Sequence, residues 1–290
     1  MQDHSEQKFN EFEIIENAFI QSDFVTFRKD YPKVEIEQTL EYYFNALSSD
    51  KPFVRRLNEN TVILRIPSFS YSEKTIIDSV IKSNKDLFTQ TDNLIIDLRN
   101  NGGGSDRSYQ KLIPLIYTNP IRTIGMELLS TPINNKRMED IITSLDFPEE
   151  IREWAKSALD KLNNNIGKFV NLNESSVSVT ELDSIYNFPK NVGILVNERN
   201  GSTTEQFLLA AKQSKKVKLF GVTTAGVLDI SNMYFVNSPD NEFKLGYCLS
   251  KSMRIPEMTI DNKGIQPDYY IDKSIPKYKW IEFVSNVLNE

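Results

Sequence analysis

The apolar positions of this chain change period several times, and each change marks an element. Phe9, Phe12, Ile15 and Phe19, and later Leu40, Tyr43, Phe44 and Leu47, recur at helical spacing. Tyr31-Pro32 interrupts them, because proline lacks the amide that continues a helix. Residues 1–52 therefore read as a small N-terminal helical subdomain, with Pro52 at its linker. Thr61–Ile66 reads as a strand, and residues 73–88 as a helix with Ile76, Ile77, Val80, Ile81 and Leu87 inward. Leu94–Leu98 and Val192–Val196 are short and almost wholly apolar, as expected of strands covered on both faces. Ser105 can cap a helix carrying Tyr109, Leu112, Ile113 and Ile116. Residues 135–165 are charged and helical, which predicts a helical insertion around 130–165, and residues 165–190 read as polar loop. Thr203–Gln213 reads as a helix, Val217–Phe220, Met233–Val236 and Phe243–Leu249 as strands, and residues 277–289 as a closing helix. Strands alternating with helices over residues 53–290 predict an α/β core with a mostly parallel sheet.

Composition then narrows the chemistry. The net charge of −6 argues against nucleic acid as a partner, since phosphate binding wants a surplus of Lys and Arg. Lys212, Lys215, Lys216 and Lys218 cluster locally and read as a solvated helix end. Cys248 is the single cysteine, so no intrachain disulfide can form. His4 is the single histidine, and one His with one Cys cannot build a common zinc site. No cofactor or metal is implied. No stretch of about 18 apolar residues is present to span a membrane. The first ten residues, MQDHSEQKFN, are too polar for a signal peptide.

Two loops carry candidate chemistry, and both leave a buried strand and open a helix. The first is Asp97-Leu98-Arg99-Asn100-Asn101-Gly102-Gly103-Gly104-Ser105, whose glycines let backbone N–H groups face a ligand. It lacks the Gly-Lys-Ser/Thr of a phosphate loop and the third glycine of a dinucleotide loop, and it also reads as a plain tight turn. The second is Glu198-Arg199-Asn200-Gly201-Ser202-Thr203-Thr204-Glu205. Ser202 at a helix N-terminus is well placed for a developing oxyanion. On this segment alone it reads first as a helix cap, with Glu205 three residues on completing a capping box.

The two loops together resemble the signature strands of the S41 peptidases, the tail-specific or C-terminal processing proteases. LIIDLRNNGGGS is followed about 100 residues later by VGILVNERNGSTTEQFLLAA. Leu219-Phe220-Gly221-Val222-Thr223-Thr224-Ala225-Gly226 resembles a third signature, and Lys263-Gly264-Ile265-Gln266-Pro267-Asp268 the terminal one. The resemblance runs over roughly residues 60–270, in the family's order. It implies a ClpP/crotonase-like core, a serine peptidase acting on peptide or protein substrates, and an exported, periplasmic or envelope setting. It implies Ser202 as nucleophile, with oxyanion donors at the backbone N–H of Thr203 and of Gly103 or Gly104. Glu205 matches an acidic family position expected to be structural. Crotonase-type acyl-CoA chemistry on the same fold is a distant third reading.

The chain departs from the family in two places. Tail-specific members use a Ser–Lys dyad, and the lysine position falls on Val227, with the helper Gln position on Ser231. Tricorn-like members use a His, and only His4 exists here. Asp229 is the nearest acidic group to the lost lysine. It reads either as a base, if burial raises its pKa, or as a turn residue. Lys251 and Tyr247 lie on a later strand and are weaker candidates. The second departure is the PDZ module, for which residues 48–60 are too short. The chain reads as a peptidase acting through Ser202, with a catalytically impaired peptide-binding homologue as the alternative.

Overall fold

The computed structural model describes residues 38–290. His4 and the helices expected before residue 38 lie outside the described residues, as does most of the expected 1–52 subdomain. Its described part is helix α1 (Gln38–Ser48).

The core is a six-stranded sheet. β1 (Phe53–Arg56) pairs antiparallel with β2 (Thr61–Arg65), and the remaining pairs are parallel. In spatial order β2 is followed by β3 (Asn93–Asp97), β8 (Asn191–Val196), β9 (Val217–Gly221) and β12 (Tyr269–Tyr270). The inner strands β2, β3 and β8 are largely apolar on both sides because both sides are covered. Val62, Leu64, Leu94, Ile96, Ile194 and Val196 face one cluster, and Ile63, Ile95, Leu195 and Phe220 face the other. Consecutive side chains point to opposite faces of a strand, so this alternation builds two cores from one sheet. The first core is covered by α2 (Lys74–Ser83), by a 3-10 helix (Asp106–Leu112) running into α4 (Ile113–Ile116), and by α7 (Thr203–Ala211). The second is covered by α1 and α8 (Trp280–Asn289).

A second sheet of four strands lies outside this layer. Its order is β10 (Ile230–Asn237), β11 (Lys244–Ser252), β5 (Met126–Leu129) and β6 (Phe169–Val170). β4 (Ile121–Ile124) and β7 (Val177–Thr180) form a separate ribbon. Helices α5 (Pro132–Thr143) and α6 (Glu149–Asn163) pack on this region through Met138, Ala155, Ala158 and Leu162.

Three expectations need correcting. The helix expected over residues 73–88 breaks at Asn84, after which a short α3 (Lys85–Phe88) follows. Asn84 leaves the helical conformation, and its side chain turns back to the Val80 carbonyl at 2.8 Å. Residues 165–190 are not simply loop, because they contain β6 and β7. The element capped by Ser105 is mostly 3-10 helix rather than α. Among the described residues no helix is long and apolar enough to cross a membrane.

Candidate active site

Strands β3 and β8 are direct neighbours, with Asp97 opposite Leu195, so the two candidate loops leave the sheet side by side. Asparagines lock them together. Asn100 N–H donates to Asn197 Oδ1 at 2.9 Å, and Asn197 Nδ2 donates back to Asn100 Oδ1 at 2.8 Å. Asn200 Nδ2 donates to the Leu98 and Asn101 carbonyls at 2.5 and 3.0 Å. The Thr204 hydroxyl donates to Asn101 at 2.9–3.0 Å. Asn101 and Asn200 are fully buried, so these bonds satisfy backbone that water cannot reach.

At the root of the glycine loop, Asp97 is buried beneath Tyr42, Arg65 and Arg99. Its carboxylate accepts from Arg99 Nη2 at 2.7 Å, Arg99 Nε at 2.9 Å and the Tyr42 hydroxyl at 3.0 Å. Burial alone would raise its pKa, but the charges of Arg99 and Arg65 outweigh that and hold it at about 2.

The glycine loop presses directly on Ser202. A Cβ on Gly103 would stand 2.9 Å from the Ser202 Cβ and 2.9 Å from the Thr203 nitrogen. Gly103 has φ +107° and Gly104 φ +145°, backbone that residues with a side chain rarely adopt. The loop is also stitched to residue 69: Phe69 N–H donates to the Gly103 carbonyl and Ser105 N–H to the Phe69 carbonyl. Beneath it, the rings of Phe69, Tyr109 and Phe207 pack with centroids 5.3–5.8 Å apart.

Ser202 itself is strained. Its φ and ψ are 53° and −124°, a region that a residue with a Cβ occupies at a cost of about 1–3 kcal/mol. It stands at the helix-cap position of α7, but its hydroxyl makes no cap hydrogen bond. Glu205 does not complete a capping box either. Its buried carboxylate accepts from the Thr224 hydroxyl at 2.5 Å, Gly226 N–H at 2.7 Å and Val227 N–H at 2.9 Å. Gly103 N–H is taken by Asn101 Oδ1 at 3.0 Å. The N–H groups of Gly104 and Thr203 have no hydrogen-bond partner among the described residues.

All four sequence motifs meet here. Ala225 N–H donates to the Asn200 carbonyl at 2.8 Å, Thr224 N–H to the Ile265 carbonyl at 3.2 Å, and Leu219 N–H to Asp268 Oδ2 at 2.8 Å. A model of peptidase family S41 matches residues 60–271. The chain belongs to peptidase family S41. Among solved structures it is similar to mature CPAF complexed with lactacystin, at 18% identity and TM-score 0.56, over 79% of this chain and 51% of CPAF. It is also similar to a putative peptidase from Parabacteroides merdae, at 15% identity and TM-score 0.54, over 85% of this chain and 68% of that one. The chain thus spans about half the length of mature CPAF. No curated protein matches it.

Against that family pattern, the remaining expected residues fall as follows. Val227, in the lysine position, lies against Gly201: its Cγ2 stands 2.6 Å from where a Gly201 Cβ would be. Asp229 is fully buried, and its oxygens accept from Arg254 Nε at 2.8 Å, Ile260 N–H at 2.6 Å and Asp261 N–H at 3.0 Å. Ser202 is not among those partners. The Ser231 hydroxyl pairs with Ser250 at 3.2 Å, Lys251 with Glu127 at 3.4 Å, and the Tyr247 hydroxyl with Asn134 at 3.1 Å. The sequence reading missed the asparagine lock and the Asp229–Arg254 pair. The lock left a signal, an Asn-Gly step in each loop, at Asn101-Gly102 and Asn200-Gly201. The arginine left none, because 25 residues separate it from its partner.

Proposed function

We propose that this S41 chain is a serine-type peptidase that cleaves peptide bonds through an acyl-enzyme on Ser202. The observation that carries the reading is Ser202 itself, held in a strained strand-to-helix turn with its hydroxyl uncommitted, beside two unpartnered amides. A serine that only capped its helix would relax to ordinary backbone and bond its own helix amides. In the reaction the carbonyl oxygen of the substrate becomes an anion between the N–H groups of Thr203 and Gly104, with Gly103 shaping the turn. Preorganised amides in that position stabilise the charge as it develops. Asp229 serves as a clasp in this reading rather than as a base, since Arg254 and two amides already occupy its carboxylate. The resemblance to the family further supports a ClpP/crotonase-like core, peptide or protein substrates and an exported or envelope setting.

Val227 supports a second reading, a homologue that binds peptides in the same groove without cleaving them. Reaction with a fluorophosphonate probe decides between them. The peptidase reading expects covalent labelling of the wild type and none of Ser202→Ala. A wild type that stays unlabelled under forcing conditions rules it out in favour of the binding module.

A further inference from the structure

Ser202 holds its φ of 53° only while its surroundings leave the backbone no alternative. On one side the glycine loop presses on it. On the other side runs the loop after β9. Ala225 N–H donates to the Asn200 carbonyl at 2.8 Å, and the Val227 side chain lies against Gly201. The strained turn is therefore kept only as well as residues 224–230 are themselves held in place.

Three carboxylates hold those residues. Glu205, on α7, accepts from the Thr224 hydroxyl and from the amides of Gly226 and Val227. Asp261 accepts from the amides of Leu228, Asp229 and Ile230 at 2.6–3.0 Å. Asp229 accepts in return from the amides of Ile260 and Asp261 at 2.6 and 3.0 Å. The last two form a reciprocal clasp, which ties two loops to each other. Ser252 N–H, bonded to the Asp229 carbonyl at 2.6 Å, joins this clasp to β11 in the outer sheet. Arg254 joins it to the helix that carries the serine. Its Nε donates to Asp229 Oδ1 at 2.8 Å, and its Nη1 donates to Gln206 Oε1 at 3.3 Å. Gln206 stands one helical turn from Ser202, and its own N–H donates to the Ser202 carbonyl at 3.0 Å.

Resting on the serine-peptidase reading above, we propose that Arg254 is a positioning residue for Ser202: its guanidinium spans from the Asp229–Asp261 clasp to Gln206 and so holds the loop after β9 against the serine turn. It acts through those partners and touches no reacting atom. A guanidinium suits the task because its donors lie in one rigid plane, so a single residue can fix two acceptors at a set separation. Asp229, Arg254 and Gln206 are all buried, so water does not compete for these bonds. Gln206 lies among the buried Phe207, Leu208, Ala210 and Ala211 of α7. A buried amide in such a helix needs a partner, and Arg254 supplies it.

Gln206 separates positioning from folding better than Arg254 does. Arg254→Met would leave Asp229 as a buried charge without its counter-charge and would undo the clasp itself. Gln206→Met removes only the arm to α7 and keeps the length of the side chain. Gln206→Glu keeps an acceptor for the guanidinium. Arg254→Lys keeps the charge beside Asp229, but one ammonium cannot reproduce the planar fork that reaches both acceptors. When the arm to α7 is lost, the loop is free to shift and the serine turn to relax. Attack by Ser202 then slows, while the surface that binds the probe is unchanged.

The test is fluorophosphonate labelling of the full chain, with the rate resolved into reversible probe binding and the covalent step. Every variant is assayed well below its melting temperature, so the rates are those of folded protein. The proposal expects Gln206→Met and Arg254→Lys to slow the covalent step by on the order of 10-fold, with probe binding unchanged. It expects Gln206→Glu to label near the wild-type rate. Gln206→Met or Arg254→Lys labelling at the wild-type rate overturns the role of Arg254 and leaves the serine reading intact. So do equal losses in Gln206→Met and Gln206→Glu, or losses that lie in probe binding instead of the covalent step. An unlabelled wild type overturns both readings.

Discussion

The half of the site that would hold an oxyanion and the half that would move a proton are built from different materials. The first is backbone: the Gly104 and Thr203 amides, positioned by the Asn100–Asn197 and Asn101–Asn200–Thr204 hydrogen bonds and by the Phe69 stitch. The second is side chain, carried on the loop after β9, where Glu205 fixes the backbone of residue 227 while the side chain there is a half-exposed valine. Backbone donors survive almost any change of neighbouring side chain, because the amide is present in every residue but proline. A proton acceptor depends on one residue identity. The first half can therefore persist while the residue at the proton-accepting position changes.

That contrast is broken most severely at Gly104. A Cβ there would stand 2.3 Å from the Phe69 carbonyl carbon and oxygen, and φ is +145°. Neither atom belongs to a side chain that can turn away, so the Phe69 stitch must open. Gly104→Ala should cost about 4 kcal/mol and abolish labelling of Ser202. Gly102 sits two residues earlier in the same loop, where a Cβ would meet only the Arg199 carbonyl at 3.9 Å. Gly102→Ala should leave both stability and labelling close to wild type. Equal losses in the two variants, by denaturant unfolding and probe kinetics, would show that the loop tolerates no side chain anywhere, and that the stitch is not what matters.

A smaller effect tests the root of the same half. The Asp97 pKa falls from 3.8 to about 2 in the folded chain. A depressed carboxyl stabilises the fold above its unfolded pKa, so the contribution is complete above about pH 5 and disappears as pH falls from about 4 toward 2. The size is about 2 kcal/mol. Asp97→Asn should flatten the acid-side stability profile in that window. At neutral pH it should also cost about 3 kcal/mol, because Arg65 and Arg99 then lie buried without their counter-charge. Acid unfolding monitored by circular dichroism checks it; an unchanged profile between pH 4 and 2 would count against the assigned role of Asp97.

How much of this was legible beforehand follows the same division. β3 and β8 announce themselves as LIIDL and VGILV because both faces are buried, and Ser202 with its glycine loop falls at their ends. β1, β4, β5 and β12 were not foreseen. They are two to four residues long, and all but β1 gain their partners from distant parts of the chain: β5 pairs β11 across more than 100 residues. No periodicity marks such a strand. The capping box written in Ser202 and Glu205 was a plausible local reading that tertiary contacts overrode, since Glu205 finds three stronger donors in residues 224–227. Asp229 was the nearest acidic group in sequence to the lost lysine, but its partner Arg254 is close only in space.

The mildest change, Val227→Lys, bears on the proton-transfer half alone. Val227 is 53% exposed, and its methyl already reaches to within 2.6 Å of where a Gly201 Cβ would be, so the loop directs this side chain toward the serine turn. The Glu205 carboxylate holds the residue's own N–H at 2.9 Å, so backbone placement does not depend on the side chain. A lysine there should change stability by no more than about 0.5 kcal/mol, the usual size for an exposed substitution. As a base the amine must first lose its proton, and at a half-exposed position little desolvation lowers its pKa from about 10.4. The gain in labelling rate, about tenfold, should therefore appear only on the alkaline side and grow with pH. If Val227→Lys labels no faster than wild type above about pH 9, the side chain at 227 does not reach the serine proton, and the contact with Gly201 is packing alone.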